Sequence, residues 1–511
     1  MPHAPRTIPE LVFETCRRLP DATALTAPGR APLSYRALAG TIEAAAASLN
    51  RLGIGRNDRI VIVLPNGPEM AAAFVSIAAA ATTAPLNPAY KREEFDFYLS
   101  DLNATALLIG DGMTSPALDA ARARGIAVIT LRADAAHPAG AFSIEGTAAG
   151  GSGVAGLAEP DDIALMLHTS GTTSRPKLVP LTHANLIASA TNIRRSLALT
   201  AADRGLNVMP LFHIHGLAAM LLATLSAGGS LCCTPGFDAL KFFGWLQESA
   251  PSWYSAVPSM HQAIVARAAR NQDIVAKAGL RFVRSSSAAL PPRLMQELET
   301  VFGCPAVEAY GMTEASHLMA CNPLPPARRK PGSVGIAAGP DVAVMNEAGD
   351  LLPAGTEGEV VIRGTNVTAG YLANPEANAK AFTNGWFRTG DVGSLDADGY
   401  LFLKSRLKEI INRGGEKISP REIDEVLLEH PAIDQALAFA MPHPSLGEDV
   451  AAAIVLRPGM SLTEHDVRQH VEAHLATFKV PRRVIFVAEI PKGPTGKYQR
   501  IGLAERLGLT G

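Results

Sequence analysis

A run of glycine and hydroxyl residues ahead of one lysine is the first stretch of the sequence that could bind phosphate. From His168 to His183 the chain reads HTSGTTSRPKLVPLTH. Its backbone N–H groups and hydroxyls could surround phosphate oxygens, and Lys177 would add a positive charge. The residues that would do so are Thr169, Ser170, Gly171, Thr172 and Thr173. The run is not a Walker loop, because Pro176 occupies the second glycine position and Leu178 replaces the Ser or Thr that binds Mg²⁺. Alone, it is equally well explained as a polar turn between a strand and a helix.

Four further short motifs follow this run in order along the chain. They are PLFHIHG (210–216), EAYGMTEA (308–315), GWFRTGD (385–391) and PTGK (494–497). Each motif is weak alone, but all five in this order resemble the adenylate-forming enzymes, the family of acyl-CoA synthetases, aryl-CoA ligases and luciferases. The resemblance extends over nearly the whole chain. It implies an enzyme that activates a carboxylic acid with ATP, releases pyrophosphate and transfers the acyl group to CoA.

The resemblance implies how phosphate and metal would be held. The glycine-rich run, with Lys177, would bind the β- and γ-phosphates of ATP, which leave as pyrophosphate. Glu314 in YGMTE would hold Mg²⁺, which prefers oxygen ligands, and Thr313 would bond the α-phosphate. An ordinary turn at a strand end, with an exposed carboxylate, is the structural alternative for these two residues.

Under the same resemblance, three segments would bind the nucleoside. Asp391 in RTGD suits the ribose, because one carboxylate can accept hydrogen bonds from two adjacent hydroxyls. Arg406 would reach the ribose or the phosphates, although both residues could instead form a structural ion pair. Tyr310 is expected to stack on adenine. The other residues expected around the base are Ser287, Ala288, Glu308, Ala309 and Gly311.

The C-terminal segment KGPTGKYQR contains Lys497. A lone lysine in a glycine-rich turn is usually just solvated, but the matching lysine of the family bridges the carboxylate and the α-phosphate while the mixed anhydride forms. The tail would then close over ATP, and later rotate about a hinge two residues past Arg406, at Lys408. Gly414 and Gly415 would face the thioester step with CoA, where a missing Cβ allows the backbone to approach closely.

Two histidine-containing motifs and the phosphate loop bear on the acid. The Ser-Arg pair in SGTTSRPK, the double histidine of PLFHIHGL and the segment SHLM together resemble the oxalate–CoA ligase branch of the family. His213, Ser287 and His317 would then bind the second carboxylate of a very short diacid, since a protonated histidine makes such a bond charge-assisted. A pocket for fatty or aromatic acids should instead be apolar.

The alternatives for the acid are malonate or a medium- or long-chain fatty acid, with His317 bonded to local backbone and His213 serving as a gate. His215 receives no role. A P-loop NTPase is opposed by the missing GK[ST] sequence and would release ADP instead of AMP. A module that loads a carrier protein would need a carrier domain, which does not follow Lys497. A protein that binds nucleotide without catalysis is expected to have lost Lys497 or Glu314.

The motifs require a scaffold of alternating strands and helices. Short β-branched runs at 59–65, 106–110 and 126–131 are separated by helical patterns, as is typical of parallel strands covered on both faces. Two Ala-rich apolar stretches end in Thr-Pro or Gly-Gly and are predicted to be buried helices. Alternation of apolar residues with Gly and Asp turns from about residue 342 indicates a small β-rich section.

The tail has the pattern of a separate α+β unit. Pro420 should begin a helix, with Ser419 as its N-cap and Glu422 completing a capping box. The prediction is therefore an α/β protein. A large N-terminal domain of mixed and parallel sheets covered by helices, with the β-rich section, spans 1–405, and a small mobile α+β domain spans 406–511.

Composition excludes several classes of protein. The 511 residues contain 46 Lys and Arg against 48 Asp and Glu, so the net charge of −2 gives no footprint for nucleic acid or an anionic membrane. Five cysteines without a C-x-x-C pair fit a reducing compartment. The N-terminal segment lacks the pattern of a signal peptide, and no stretch is predicted to span a membrane. The expected location is the cytoplasm, and the expected partners are the small molecules ATP, Mg²⁺, CoA and an acid.

Overall fold

The computed structural model describes residues 4–151, 153–169, 176–493 and 497–509. The strands up to residue 182 are β1 (Thr23–Thr26), β2 (Leu33–Ser34), β3 (Arg59–Val63), β4 (Thr82–Pro85), β5 (Ala106–Gly110), β6 (Ala127–Arg132), β7 (Ser143–Gly146), β8 (Ile163–His168) and β9 (Leu178–Thr182). The next seven are β10 (Arg204–Asn207), β11 (Ser230–Cys233), β12 (Trp253–Ala256), β13 (Phe282–Ser286), β14 (Ala306–Met312), β15 (His317–Cys321) and β16 (Ile336–Ala337).

The remaining strands belong to two smaller sheets. The first contains β17 (Asp341–Met345), β18 (Gly358–Arg363), β19 (Phe382–Thr383), β20 (Trp386–Leu395) and β21 (Leu401–Arg406). The second contains β22 (Ile411–Arg413), β23 (Glu416–Ile418), β24 (Ile433–His443), β25 (Gly447–Leu456) and β26 (Arg483–Phe486).

Fifteen α-helices are formed by the described residues. They are α1 (Ile8–Arg18), α2 (Tyr35–Arg51), α3 (Pro68–Ile77), α4 (Arg92–Asp101), α5 (Pro116–Ala123), α6 (His183–Ser196), α7 (Ala223–Ala227), α8 (Phe242–Ser249), α9 (Pro258–Ala268), α10 (Gln272–Val275), α11 (Pro292–Phe302), α12 (Pro375–Ala381), α13 (Pro420–Glu429), α14 (Glu464–Glu472) and α15 (Leu503–Arg506). A π-helix at His215–Leu222 leads into α7, and short 3₁₀ turns lie at Thr313–Ala315 and Thr477–Lys479.

Two large sheets with parallel interiors form the framework. Their strand orders are β7-β6-β5-β3-β4-β8-β9 and β16-β15-β14-β13-β12-β10-β11-β1-β2. The inner pairs are parallel, whereas β2, β7, β9, β15 and β16 run antiparallel to their neighbours. Helices cover the buried strands, because a parallel strand is apolar on both faces. The predicted α/β class, with a β-rich section and a small α+β tail, is confirmed.

The two Ala-rich stretches are buried helices, as predicted. Nine of the ten residues of α3 are buried, and so is every residue of the π-helix. Both lie in the large core that the two sheets share. Among the described residues, no helix is long and apolar enough to cross a membrane.

One structural alternative and one local prediction are contradicted. The phosphate run does not join a strand to a helix, because β8 is followed by its antiparallel partner β9, with His168 opposite Leu178. Ser419 is the N-cap residue of α13 but makes no side-chain cap. Its hydroxyl donates instead to the carbonyl of Lys404 at 2.7 Å, so the predicted capping box does not form.

The tail has apolar cores of its own. One cluster is built on Ile411, Ile423 and Val467, and another on Leu437, Ile490 and Leu503. Every member of both clusters follows residue 410, and the clusters of the two large sheets end at residue 403. Contacts between the tail and the preceding part of the chain, which we call the body, include the Ser419 bond to Lys404 and the Gln262 amide donating to the carbonyl of Asp434 at 3.5 Å.

Candidate functional site

The predicted site residues gather where the strands of the nine-stranded sheet end. Ser287 follows β13, and Thr313 and Glu314 follow β14 in a 3₁₀ turn. His213 precedes the π-helix, on the connection that leaves β10. The carboxyl ends of parallel strands are the usual place for ligands in open α/β sheets, because several loops meet there.

A fully buried polar cluster forms the floor of this region. His215 Nε2 lies 2.7 Å from Ser255 Oγ, and His215 Nδ1 lies 3.1 Å from Ser287 Oγ. Arg284 Nη1 lies 3.2 Å from Ser255 Oγ and 3.4 Å from His215 Nε2. His215, Ser255 and Arg284 each have 0% exposure. We call these three residues and Ser287 the polar floor.

Arg284 is unusual because it is a buried cation without a carboxylate. No ion pair of this side chain occurs among the described residues, and its Nε and Nη2 have no hydrogen-bond partner there. Burial lowers the pKa of Arg284 to about 10, so the guanidinium is still charged at neutral pH. A buried cation is costly unless it is paired, so this charge marks a site for an anion.

His317 stands beside the polar floor in a strained backbone conformation. Its ring centroid lies 5.1 Å from that of His215, and its Nδ1 has no hydrogen-bond partner in the described part of the chain. The backbone φ is +101° at His317, +51° at Ser316 and +75° at Ser287. Residues other than glycine rarely adopt positive φ, and such strain is concentrated at functional sites.

Burial opposes the protonated form of the histidines, on which the expected charge-assisted bond depends. Burial lowers the pKa of His213 to about 3, and it lowers the pKa values of His215 and His317 well below their ordinary value. The charges of Arg284 and Lys497 add to this effect at His317. The histidines are therefore neutral, and the fixed positive charge of this region comes from arginine and lysine.

Glu314, Tyr371 and Lys177 form a second group. The Tyr371 hydroxyl donates to Glu314 Oε1 at 2.9 Å, and Lys177 Nζ lies 4.3 Å from the centre of the Tyr371 ring. Glu314 is buried, not exposed, and burial raises its pKa. Burial also lowers the pKa of Lys177, and the nearby Lys408 of the tail lowers it further. Two lysines that approach each other in this way favour an anion between them.

Thr169 and Lys177 close the phosphate run as a hairpin. The Thr169 N–H donates to the carbonyl of Lys177 at 2.9 Å, and the Lys177 N–H donates to Thr169 Oγ1 at 3.2 Å. The remaining residues predicted for this run, Ser170, Gly171, Thr172 and Thr173, lie outside the described residues.

Asp391 joins Tyr310 to Arg406. Asp391 is buried; it accepts a short hydrogen bond from the Tyr310 hydroxyl and pairs with Arg406 Nε at 2.9 Å. The carboxylate raises the pKa of Arg406. The ion pair that the sequence left open is thus present, and the Arg406 side chain keeps 60% exposure.

Of the residues expected around adenine, Ser287 and Ala288 lie in the turn after β13, and the others lie in β14, where Glu308 supports that turn. Glu308 Oε1 accepts a hydrogen bond from the N–H of Leu290 at 2.8 Å, and burial raises the pKa of this carboxyl to about 7. Ala288 is exposed in the turn, and the carbonyl of Ala309 accepts a bond from Ser286 at 2.9 Å. A Cβ on Gly311 would overlap the carbonyl oxygen of His317, which explains the glycine.

Lys497 reaches the same region from the tail. Burial, followed by the charge of Arg406, lowers the pKa of Lys497 to about 8, and the charge of Lys497 in turn lowers the pKa values of His213 and His317. The charge of Lys497 therefore acts both on the nucleoside group at Asp391 and Arg406 and on the histidines beside the polar floor.

The other tail residues predicted for the site lie in two turns. Lys408 is exposed in the turn after β21, where the N–H of Glu409 donates to the carbonyl of Arg406 at 2.9 Å. Gly414 and Gly415 connect β22 to β23 with φ of +58° and +100°. A two-residue hairpin turn with two positive φ values favours glycine on its own account.

Sequence reasoning missed Arg284, Ser255 and Tyr371 and assigned nothing to His215. A charged residue inside the apolar run RFVRSSS was the one available sign of Arg284, because unpaired cations are rarely placed in buried strands. Tyr371 lies outside all five motifs, and no feature of the sequence indicates its contact with Glu314.

Comparisons with known proteins agree with this geometry. The sequence model of the AMP-binding enzyme family matches residues 12–372, and that of the AMP-binding enzyme C-terminal domain matches residues 422–497. The chain is 44% identical to the oxalate–CoA ligase of Arabidopsis thaliana, over 97% of each chain. It is 42% identical to the oxalate–CoA ligase of Saccharomyces cerevisiae, over 88% of this chain and 87% of that one. The crystal structure of ATP-bound MatB from Rhodopseudomonas palustris superposes with a TM-score of 0.88 at 28% identity, covering 98% of both chains.

Proposed function

Because this chain belongs to the AMP-binding enzyme family, we propose that it is an ATP-dependent ligase that joins oxalate to CoA. Oxalate would first attack ATP to give oxalyl-AMP and pyrophosphate. The thiol of CoA would then replace AMP at the activated carbonyl.

One observation carries the choice of acid. The acid would lie between His213, Ser287 and His317, beside the polar floor that contains the buried charge of Arg284. An apolar acyl chain would leave the free Nδ1 of His317 without a partner and no negative charge near Arg284, whereas a second carboxylate would supply both. The two relatives named oxalate–CoA ligase support the same choice.

The adenylation step needs charge neutralisation and alignment more than acid–base chemistry, because both reactants are anions. A carboxylate oxygen of the acid would form a bond to the α-phosphorus, and the bond from that phosphorus to the β-phosphate oxygen would break. Lys497 would lie between the acid and the α-phosphate, with Thr313 on the phosphate. Lys177 would bind the departing pyrophosphate, and Asp391 would accept from the ribose hydroxyls.

Glu314 fits a magnesium ion, because it offers a carboxylate oxygen on the phosphate side of the site. No three acidic, histidine or cysteine side chains gather into a metal site within the described part of the chain. The phosphate oxygens of ATP would therefore supply other ligands. The ion would neutralise phosphate charge when bound, and Tyr371 orients the Glu314 carboxylate that holds it.

The second step would follow rotation of the tail about Lys408, which would remove Lys497 and bring Gly414 and Gly415 to the acyl-adenylate. The division of the apolar cores on either side of this turn supports such a hinge. The five free cysteines support a reducing compartment such as the cytoplasm.

An acid panel tests the proposal. The enzyme is incubated with ATP, Mg²⁺ and CoA, and with oxalate, malonate, acetate, octanoate or sulfoacetate in separate reactions, and AMP and thioester are measured. We expect both products with oxalate and little of either with acetate or octanoate. Thioester formed from octanoate but not oxalate would refute the choice of acid, and ADP as the product would refute the reaction. Lys497→Ala is the control for AMP that does not arise from adenylation.

A further inference from the structure

The polar floor is a continuous chain of four polar groups that ends in the acid pocket. Its links are Arg284 Nη1 to Ser255 Oγ at 3.2 Å, Ser255 Oγ to His215 Nε2 at 2.7 Å, and His215 Nδ1 to Ser287 Oγ at 3.1 Å. The imidazole and the two hydroxyls can each donate or accept, so the direction of the chain depends on where their protons lie. Only Arg284 is restricted to one of these two roles.

Arginine carries five N–H donors and no acceptor. Arg284 therefore must donate to Ser255 Oγ, and the Ser255 hydroxyl is left to donate its own proton to His215 Nε2. A neutral imidazole that accepts at Nε2 carries its proton on Nδ1. His215 Nδ1 then donates to Ser287 Oγ, so every link points from the arginine toward the acid pocket.

The opposite arrangement leaves protons without acceptors. If His215 carried its proton on Nε2, two N–H groups 3.4 Å apart, from His215 and Arg284, would be directed at Ser255 Oγ. The Ser255 hydroxyl proton would then need a further acceptor, and none occurs among the side-chain and backbone partners that the described residues give Ser255. A buried donor without a partner is costly, so the arrangement directed from Arg284 is favoured.

Ser287 is the open end of the chain. Its oxygen accepts from His215, and its own hydroxyl proton has no acceptor within the described residues. We propose that Arg284 is a positioning residue that fixes His215 with its proton on Nδ1 and thereby directs the Ser287 hydroxyl proton at the second carboxylate of the acid. This assignment rests on the proposed function for the identity of the acid, but the proton positions do not depend on it.

The arrangement explains selectivity for an ionised diacid. The polar floor directs the Ser287 hydroxyl proton toward the acid, and a carboxylate accepts that proton in a hydrogen bond without bringing a donor of its own. The first link, from the Arg284 guanidinium, and the last, to the carboxylate, each involve a charged group, and such hydrogen bonds are about twice as strong as neutral ones.

The test compares Arg284→Gln with Arg284→Lys. Lysine is also a cation that only donates, whereas the glutamine amide can turn its oxygen toward Ser255 and allow the chain to reverse. We expect Arg284→Gln to raise the KM for oxalate by about 10- to 100-fold, the effect of losing one charge-assisted bond, with a smaller change in kcat and in the KM for ATP. Arg284→Lys should recover most of the KM. Arg293→Gln on the exposed face of α11 is the control, and it should behave as the wild type.

A spectroscopic measurement separates positioning from a structural role. In protein labelled with ¹⁵N-histidine, the nitrogen shifts of His215, assigned from the signals missing in His215→Asn, report which ring nitrogen carries the proton. We expect Nδ1–H in the wild type and in Arg284→Lys, and loss of that preference in Arg284→Gln. Nε2–H in the wild type, or an unchanged tautomer and KM in Arg284→Gln, would overturn the assignment.

The same experiments also cover two other outcomes: a variant that does not fold, and a wild type that does not use oxalate. If thermal melts show that Arg284→Gln does not fold, Ser255→Ala takes its place, because it removes the middle link and keeps the charge; a KM for oxalate equal to that of the wild type would then overturn the assignment. Failure of the wild type to use oxalate would refute the proposed function, whereas the tautomer of the free enzyme would still decide the role of Arg284.

Discussion

The surroundings of Lys497 disfavour its charged form even without substrate. Burial and Arg406 lower its pKa to about 8, so the cation is present at neutral pH and is lost as the pH rises through that value. Because neutralising two anions needs the charged form, we expect kcat/KM for ATP in the adenylation step to fall about tenfold per pH unit above pH 8. Pyrophosphate release measured from pH 6.5 to 10 checks this.

The matched variant is Lys497→Arg, because arginine stays charged throughout this range. It should be slower at pH 7 but lose the decline above pH 8. Lys404→Arg, at an exposed ion pair with Glu357, should keep the profile of the wild type. An equal decline in Lys497→Arg would show that another group controls the rate.

At the scale of residues, the five motifs predicted most of the groups that gather in the site, including Asp391, Glu314 and Lys497. They did not predict the charge state of the histidines or the role of Arg284. A motif records residue types at a fixed spacing, whereas the pKa of His317 depends on burial and on charges from distant parts of the chain. The absence of a carboxylate around Arg284 is likewise a property of packing, which one sequence does not contain.

At the scale of elements, the pair of strands β14 and β15 positions His317, one of the residues proposed to contact the acid. Gly311 is opposite Leu318, and the pairing shifts register next to it, where His317 turns through its positive φ. The alternation of strands and helices was predictable because the buried runs are long and apolar. The antiparallel return through β9 and the strained turn at His317 were not, because both depend on long-range pairing.

Gly311→Ala tests this pairing. A Cβ would overlap the carbonyl oxygen of His317, so the strands must separate and move the histidine. We expect a loss of stability of about 1–3 kcal/mol, as for overpacking, together with a KM for the acid raised about tenfold or more. The control is Gly244→Ala in α8, where a Cβ meets open space and should stabilise the protein by up to about 1 kcal/mol. Thermal melts and acid titrations measure both, and an unchanged KM in Gly311→Ala would contradict the expected movement.

At the scale of the whole molecule, the separate apolar cores predict that tail and body unfold separately. All three tryptophans, Trp245, Trp253 and Trp386, lie in the body, so tryptophan fluorescence reports the body alone. We expect the far-UV circular dichroism to begin falling at a lower guanidinium concentration than the fluorescence, because the smaller unit buries less apolar surface. Coincident transitions would contradict the prediction.

Arg500→Met tests separate unfolding by destabilising the tail alone. Arg500 donates to the carbonyl of Ala438 at 2.5 Å, and pairs with Asp424 and, at 3.1 Å, with Glu409. Removing Arg500 leaves these carboxylates without their cationic partner. The free energy of unfolding for the first transition should therefore fall by about 3–5 kcal/mol, while the fluorescence transition stays in place. Arg506→Met, near the C-terminus on α15, is the control, since its contact is the exposed side chain of Gln499.

The division of the cores has a consequence for how such an enzyme can change over evolution. The residues proposed to bind the second carboxylate of the acid, His213, Ser287 and His317, belong to the body, whereas Lys497 is carried by a unit that, among the described residues, shares no apolar cluster with it. A lineage could therefore acquire specificity for a new acid by substitutions in one part of its gene and keep the other part unaltered. The same independence would let the tail of one family member be exchanged for that of another while the choice of acid is inherited with the body.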